Sequence, residues 1–316
     1  MRRPPVCRLT IGDTAGCQPT LRPLNPSLTI LPVFGLLPSA LALCWLVSRA
    51  RWFWVHNPEL RFGWVVLLLS GNLLWEAWEK RPLPRWRWDW SGVALAVFGL
   101  AALFFAQLYQ AAFGVTTEGM SLLGAGVMVF IAGNVQYVFG RLGLRCFAFA
   151  IGFLFLALPV PETVYYPLVS GLQSKVAAVD VALLNLAGIP AQQIGNTIHL
   201  PACVVGIDEA CSGIRSLQSA IMATLFIGYL TLNRKSLQAA LLILGVLAAI
   251  AGNLLRSFLL SYTANAKGEA AVRSWHDTAG WSILAFTAVA VMLFAWLLHK
   301  LEKSLGRQPA DAGSPR

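Results

Sequence analysis

The sequence predicts an all-α polytopic membrane protein, and three observations lead there. Of the 316 residues 57% are hydrophobic and 12% charged, against roughly a quarter charged in an ordinary soluble domain. Apolar windows of about 20 residues recur along the chain, each long enough to cross ~30 Å of hydrocarbon. Lys and Arg gather in the short segments between those windows, as the positive-inside bias requires. The alternation of a membrane β-barrel is absent, and only helices or closed barrels satisfy their backbone in lipid.

About eight spans are expected, with one extramembrane segment between the fifth and sixth. Residues 1–26 are polar and Pro-rich, lack a signal-peptide h-region, and read as a cytoplasmic tail. Span 1, about Leu28–Val47, contains Pro32 and Pro38 and should kink. Span 2 (Phe62–Trp78) runs into Lys80-Arg81-Pro82-Leu83-Pro84-Arg85-Trp86-Arg87-Trp88, a tryptophan and arginine mixture suited to the headgroup layer. Spans 3, 4 and 5 are about Gly92–Phe113, Ser121–Phe139 and Cys146–Val160. From Pro161 to Ile207 short apolar runs alternate with polar residues. Val164–Leu186 has helical periodicity suited to the interface, and Gln193–Val205, with Gly195-Asn196 at its centre, suits a small hairpin. Spans 6, 7 and 8 follow as Ala210–Leu232, Leu237–Tyr262 and His276–Leu298, so that 27–301 form one membrane domain and 302–316 a second cytoplasmic tail.

With both termini inside, the inner segments hold 16 Lys and Arg and the outer ones 6; Arg215 and Arg256 fall within spans. That split places the Pro161–Ile207 segment on the extracytoplasmic side of a cytoplasmic (inner) membrane. The net charge of +10 is therefore a topological signal rather than a nucleic-acid footprint, and membrane lipids are the expected surroundings. The six cysteines form no CxxC pair and no zinc spacing, so neither a metal nor another cofactor is expected. The oligomeric state is not encoded in any pattern found.

The stretch that demands a reason is Asp208-Glu209-Ala210-Cys211-Ser212-Gly213-Ile214-Arg215-Ser216, which heads span 6. In the expected topology Cys211 lies at the outer end of span 6. Arg256 lies six residues before Tyr262, about 9 Å below the outer end of span 7, and His276 starts span 8. Three consecutive helices thus bring Cys211, Arg256 and His276 to one depth. Taken singly these residues read as a buried structural cysteine, a snorkelling arginine and a helix-start cap. Together they read as chemistry. A thiol at a helix N-terminus is biased toward thiolate, an adjacent imidazole takes and returns its proton, and an intramembrane arginine binds a carboxylate or an oxyanion. Arg215 either anchors the helix or completes the same site.

The segments Glu209-Ala210-Cys211-Ser212-Gly213-Ile214-Arg215-Ser216-Leu217, Asn253-Leu254-Leu255-Arg256 and His276-Asp277-Thr278-Ala279-Gly280 resemble the exosortase/archaeosortase family. The likeness is specific from roughly Pro167 to Phe286 and elsewhere is one of hydropathy. It implies a membrane cysteine protease or transpeptidase, working through a Cys thioester on exported proteins that end in a short signature, one transmembrane helix and a basic tail. It implies Cys211, Arg256 and His276 as the catalytic set, with Ser212, Gly213, Arg215, Asn253 and Asp277 in support. The histidine favours the bacterial exosortase branch, since the archaeal one usually carries arginine there. Two other classes compete: a membrane thiol oxidoreductase using Cys203 and Cys211, and a transporter with Arg256 as substrate site. Against the first, seven residues separate the two thiols instead of two; against the second, no internal sequence repeat is found.

Overall fold

Glycine spacing decides how the first half of the chain packs. In helix α3 (Trp90–Phe113) Gly92 and Gly99 are followed seven residues on by Ala106; in α4 (Thr117–Leu154) the series is Gly119, Gly126, Gly133 and Gly140. Seven residues are nearly two helical turns, so each series lines one face. The faces meet backbone to backbone. A β-carbon on Gly99 would stand 2.4 Å from the amide nitrogen of Phe130, and one on Gly133 would stand 2.3 Å from that of Ala96. Lipid is as apolar as leucine, so helices associate in it by close approach through small residues. Asp89 starts α3 by accepting from the Ser91 hydroxyl and from the Gly92 and Ser91 amides, which together hold its carboxyl below the usual range.

The computed structural model describes the backbone of residues 26–84, 89–207 and 213–305, with side chains for all of these except 26–33, 58, 269–271 and 273–277. Helix α1 (Pro26–His56) is longer than the expected span 1, and Arg49 and Arg51 lie inside it rather than in a loop. A turn of 3-10 helix at Pro58–Leu60 leads into α2 (Gly63–Glu79). Within α4 one residue, Gly140 (φ 73°, ψ −173°), leaves the helical region. It reverses the chain, because Ser121 donates to the carbonyl of Pro159 at 2.5 Å and Gly124 abuts Leu158. The connection expected between spans 4 and 5 is therefore that glycine. Asn134 bonds Gly35 and Ser39 of α1, Arg49 bonds Gln110 of α3 at 2.6 Å, and Trp54 bonds the Ala157 carbonyl at 2.8 Å.

Helix α5 (Glu162–Leu186) is followed by a three-stranded antiparallel sheet of β1 (Gln192–Ile194), β2 (Thr197–His199) and β3 (Val204–Gly206), in that spatial order. The β1–β2 hairpin turns at Gly195-Asn196 as expected; β3 is an addition. Helices α6 (Ile214–Thr231), α7 (Lys235–Lys267) and α8 (Glu269–Leu305) complete the bundle. Val176, Ala177 and Leu184 of α5 form one buried cluster with Ile198, Leu200 and Ile207, and Leu254 and Phe258 of α7 pack against it. Helix α5 and the sheet thus cap one end of the bundle.

Five of the described helical segments are long and apolar enough to cross a membrane: 90–113, 117–157, 162–186, 235–267 and 278–305. The third is α5, which meets that standard by length and composition and packs, with the sheet, on the C-terminal half of α7 at Leu254, Ser257 and Phe258. Large apolar side chains on the bundle exterior are exposed, among them Phe104, Trp281 and Trp296. The molecule is a predominantly helical polytopic membrane protein. One end of the bundle gathers basic residues. Around Gly140 and the α6–α7 turn lie Lys80, Arg81, Arg141, Arg145, Arg234 and Lys235, with the Asn233 and Arg234 amides bonded to Glu302.

Gly99→Leu and Gly133→Leu should each destabilise the purified protein by at least the ~1–3 kcal/mol of an overpacked core, read as a lower Tm in detergent. Gly71→Leu is the control, because nothing lies within 4 Å of a β-carbon there. An equal loss for all three would refute the backbone-contact account.

Candidate active site

The head of α6 is built by a glycine held in two ways. The helix begins at Ile214, later than the expected Ala210, and residues 208–212, with Cys211 and Ser212, lie outside the described residues. Gly213 is the N-cap with φ 84° and ψ 4°, a left-handed conformation that costs other residues about 1–2 kcal/mol. Its carbonyl receives the Leu217 amide at 2.9 Å and the Ser216 hydroxyl at 3.0 Å. A β-carbon on Gly213 would also stand 2.6 Å from Cγ and Nδ2 of Asn253, which is itself buried on α7. At the other end of the 208–212 link, Ile207 is buried and its amide donates to the Asn196 carbonyl at 2.9 Å. The Cys211 segment therefore runs from the sheet to a glycine seated on α7.

Arg256 lies one turn beyond Asn253 on α7 and is 8% exposed. Helix α7 continues to Lys267 and α8 starts at Glu269, with Gly268 (φ 80°) alone between them. A loop was expected over 263–275. Arg256 therefore lies eleven residues from the end of α7 instead of six, and His276 sits about two turns inside α8 instead of at its start. The antiparallel geometry compensates. Arg256 and Gly280 are each twelve residues from Gly268, about 18 Å along either helix. The register follows, since a β-carbon on Gly280 would stand 3.8 Å from Nη2 of Arg256. Gly280 is the last residue of His276-Asp277-Thr278-Ala279-Gly280, so His276 lies one turn away on α8; the side chains of His276 and Asp277 lie outside the described residues. The head of α6, the middle of α7 and the His276 turn of α8 thus meet, through Gly213 on Asn253 and Arg256 on Gly280.

Arg215 reaches across to another element. Its Nε donates to Oε1 of Glu59 at 2.7 Å and its Nη2 to the same oxygen, fastening α6 to the 3-10 turn after α1. Glu59 carries no sequence signal of that role, because the pairing joins residues 156 positions apart. Among the described residues, two cavities flank the head of α6. One of about 130 Å³ is walled by Asn57, Glu59, Thr117, Glu162, Tyr165 and Gln218. A smaller one of about 40 Å³ lies between Leu172, Val176, Gly213, Leu217, Asn253 and Leu254. Beside Arg256, Ser257 is buried and donates its hydroxyl to Oδ2 of Asp180 on α5, a carboxylate with no exposure at all. Asp180 was also missed, although an acid inside Val176-Ala177-Ala178-Val179-Asp180-Val181-Ala182 breaks an apolar run. Among the described residues no three His, Cys, Asp or Glu are grouped to hold a metal ion.

Gly213→Ala should destabilise the protein through both its φ and the Asn253 contact. Adding Asn253→Ala should recover the contact part and leave the ~1–2 kcal/mol backbone part, measured by detergent-phase denaturation. Strict additivity of the two changes would show that the contact is not tight.

A family model described as transmembrane exosortase (Exosortase_EpsH) matches residues 54–295. No curated protein and no solved structure matches. The matched range is well over half of the chain and runs from the end of α1 into α8, taking in the α6 head, the Asn253–Arg256 turn and the His276 turn. The chain belongs to the transmembrane exosortase family.

Proposed function

We propose that the protein is a membrane cysteine peptidase or transpeptidase that cleaves exported proteins near a C-terminal signature–helix–basic tail and holds the sorted part as a thioester on Cys211. The observation that carries this reading is the meeting of the α6 head with Asn253, and of Arg256 with the α8 turn that follows His276. Cys211 precedes the first turn of α6, whose free amides favour a thiolate. The thiolate attacks the scissile carbonyl, and the charge that develops on its oxygen is met by the Arg256 guanidinium, kept from bulk water. His276 takes the thiol proton and passes it to the leaving amine as the peptide C–N bond breaks. An acceptor nucleophile then attacks the thioester carbonyl and releases the thiol. Ser212, Gly213, Asn253 and Asp277 shape the surroundings, while Arg215 fixes the α6 head through Glu59.

The same reading assigns topology. Eight spans follow if α1, α2, α3, the two limbs of α4, α6, α7 and α8 each cross an inner membrane, leaving 1–26 and 302–316 in the cytoplasm. The basic end around Gly140 then faces the cytoplasm, and α5, the sheet and the site face outward. A tail helix lying in the bilayer beside the bundle would present its signature to the cavities at the head of α6.

The test is mass spectrometry of the enzyme incubated with a tailed substrate: a hydroxylamine-sensitive adduct should appear on the Cys211 peptide. Cys211→Ser should bind the tail and leave it uncut, and His276→Ala should slow thioester formation or breakdown. Arg256→Lys should lose most activity, since an ammonium cannot reproduce the planar fork. Full processing by Cys211→Ala would end the proposal. An impermeant thiol reagent should label Cys211 in intact spheroplasts lacking the other cysteines; labelling only after lysis would overturn the orientation.

A further inference from the structure

Asp180 is the one described carboxylate that the proposed chemistry leaves unused while it stands fully buried. Its surroundings on α5 are Val176, Ala177 and Leu184, and across from it on α7 are Leu254 and Phe258. Burying a carboxyl among such groups is costly unless it is bonded. Its Oδ2 receives the Ser257 hydroxyl, and Oδ1 has no partner among the described residues. Swapping such a pair for apolar residues of like volume is often neutral or stabilising. Stability therefore does not account for it.

Position does. Apolar contact is non-directional, so the cluster of α5, the sheet and α7 would tolerate sliding by a fraction of a turn. A buried polar pair has one register in which it is satisfied, and setting register is the best-attested use of such groups. Here the pair lies beside Arg256, and Ser257 is one turn from Asn253, on which Gly213 rests. The cap that α5 belongs to also holds Ile207, the near end of the Cys211 link. A slip of the cap along α7 would thus move one end of the link against the other and against Arg256.

We infer that the Asp180–Ser257 pair is a positioning device for the site, fixing the register in which α5 and the sheet dock on the α7 turn that carries Asn253 and Arg256. Asp180 touches no reacting atom. The inference rests on the cysteine-peptidase reading for its catalytic consequence, but the register itself does not.

Two measurements separate these. In the first, Asp180→Leu/Ser257→Ala should keep or raise the detergent Tm while kcat on a tailed substrate falls by about ten-fold or more with KM unchanged, because an ångström of misplacement can cost about a hundred-fold. Asp180→Asn keeps an acceptor for the serine and should restore kcat to within about three-fold. Wild-type kcat in the double variant overturns the inference, as does an inactive Asp180→Asn of normal Tm, which would show that the charge itself is used. In the second, spin labels at Gln192 on β1 and Tyr262 on α7, in a background lacking other cysteines, should give a distance distribution that shifts or broadens in the double variant. An unchanged distribution overturns the register. Processing by Cys211→Ala, run alongside, would instead indict the cysteine-peptidase reading and leave the distance measurement standing.

Discussion

The structure depends on helices that approach until their backbones touch. In an apolar medium the hydrophobic force that gathers a soluble core is missing, and what remains is close packing and internal hydrogen bonding. The Gly92/Gly99 and Gly126/Gly133 faces bring α3 and α4 together at that limit. The same device recurs where chemistry is proposed. Gly213 lets the head of α6 sit on Asn253, and Gly280 leaves room on α8 for the Arg256 guanidinium. A side chain at Gly213 would push the head of α6 off Asn253, whereas a β-carbon on Gly280 would make only ordinary contact with the Arg256 guanidinium.

Polar groups in this protein follow from the same constraint. Arg49 finds Gln110, Asn134 finds α1, Ser257 finds Asp180, and Arg215 finds Glu59. A charged side chain within the membrane layer is expensive unless it faces protein or water, so each such residue marks a place where two elements must meet. Several of these meetings lie at the capped end, where α5 and the sheet close over α7. The opposite end is held by turns and by exposed basic residues, with Arg81 over the Trp78 ring and Lys300 over that of Trp296.

Arg256 and His276 both lie farther from their helix ends than the sequence suggested. Reading α7 as ending at Tyr262 and α8 as beginning at His276 misplaced both helix ends, because Thr263-Ala264-Asn265-Ala266-Lys267 and Glu269-Ala270-Ala271 are polar or small yet good enough helix formers to continue the turns. Both helices grew toward the same glycine by comparable lengths. The antiparallel register about Gly268 therefore still pairs the Arg256 level with the His276 turn. The reading of Arg215 left two roles open, and the Glu59 contact that serves the anchoring one lies too far away in sequence to be seen.

What the sequence determined by itself is whatever depends on local composition. Apolar windows of bilayer length, the sorting of Lys and Arg, the Gly195-Asn196 turn and the Cys211, Arg256 and His276 motifs are all written in consecutive residues. The family assignment follows from the same segments, and the matched range of 54–295 includes them. The tertiary structure alone decided which faces touch. That Gly140 folds α4 back on itself, that Glu59 takes Arg215, that α5 and a third strand cap α7, and that Asp180 reaches Ser257 are all contacts between distant segments. Each arises because a buried polar group or a side-chain-free surface must find a complement, and that complement is chosen by packing in three dimensions rather than by its neighbours in the chain.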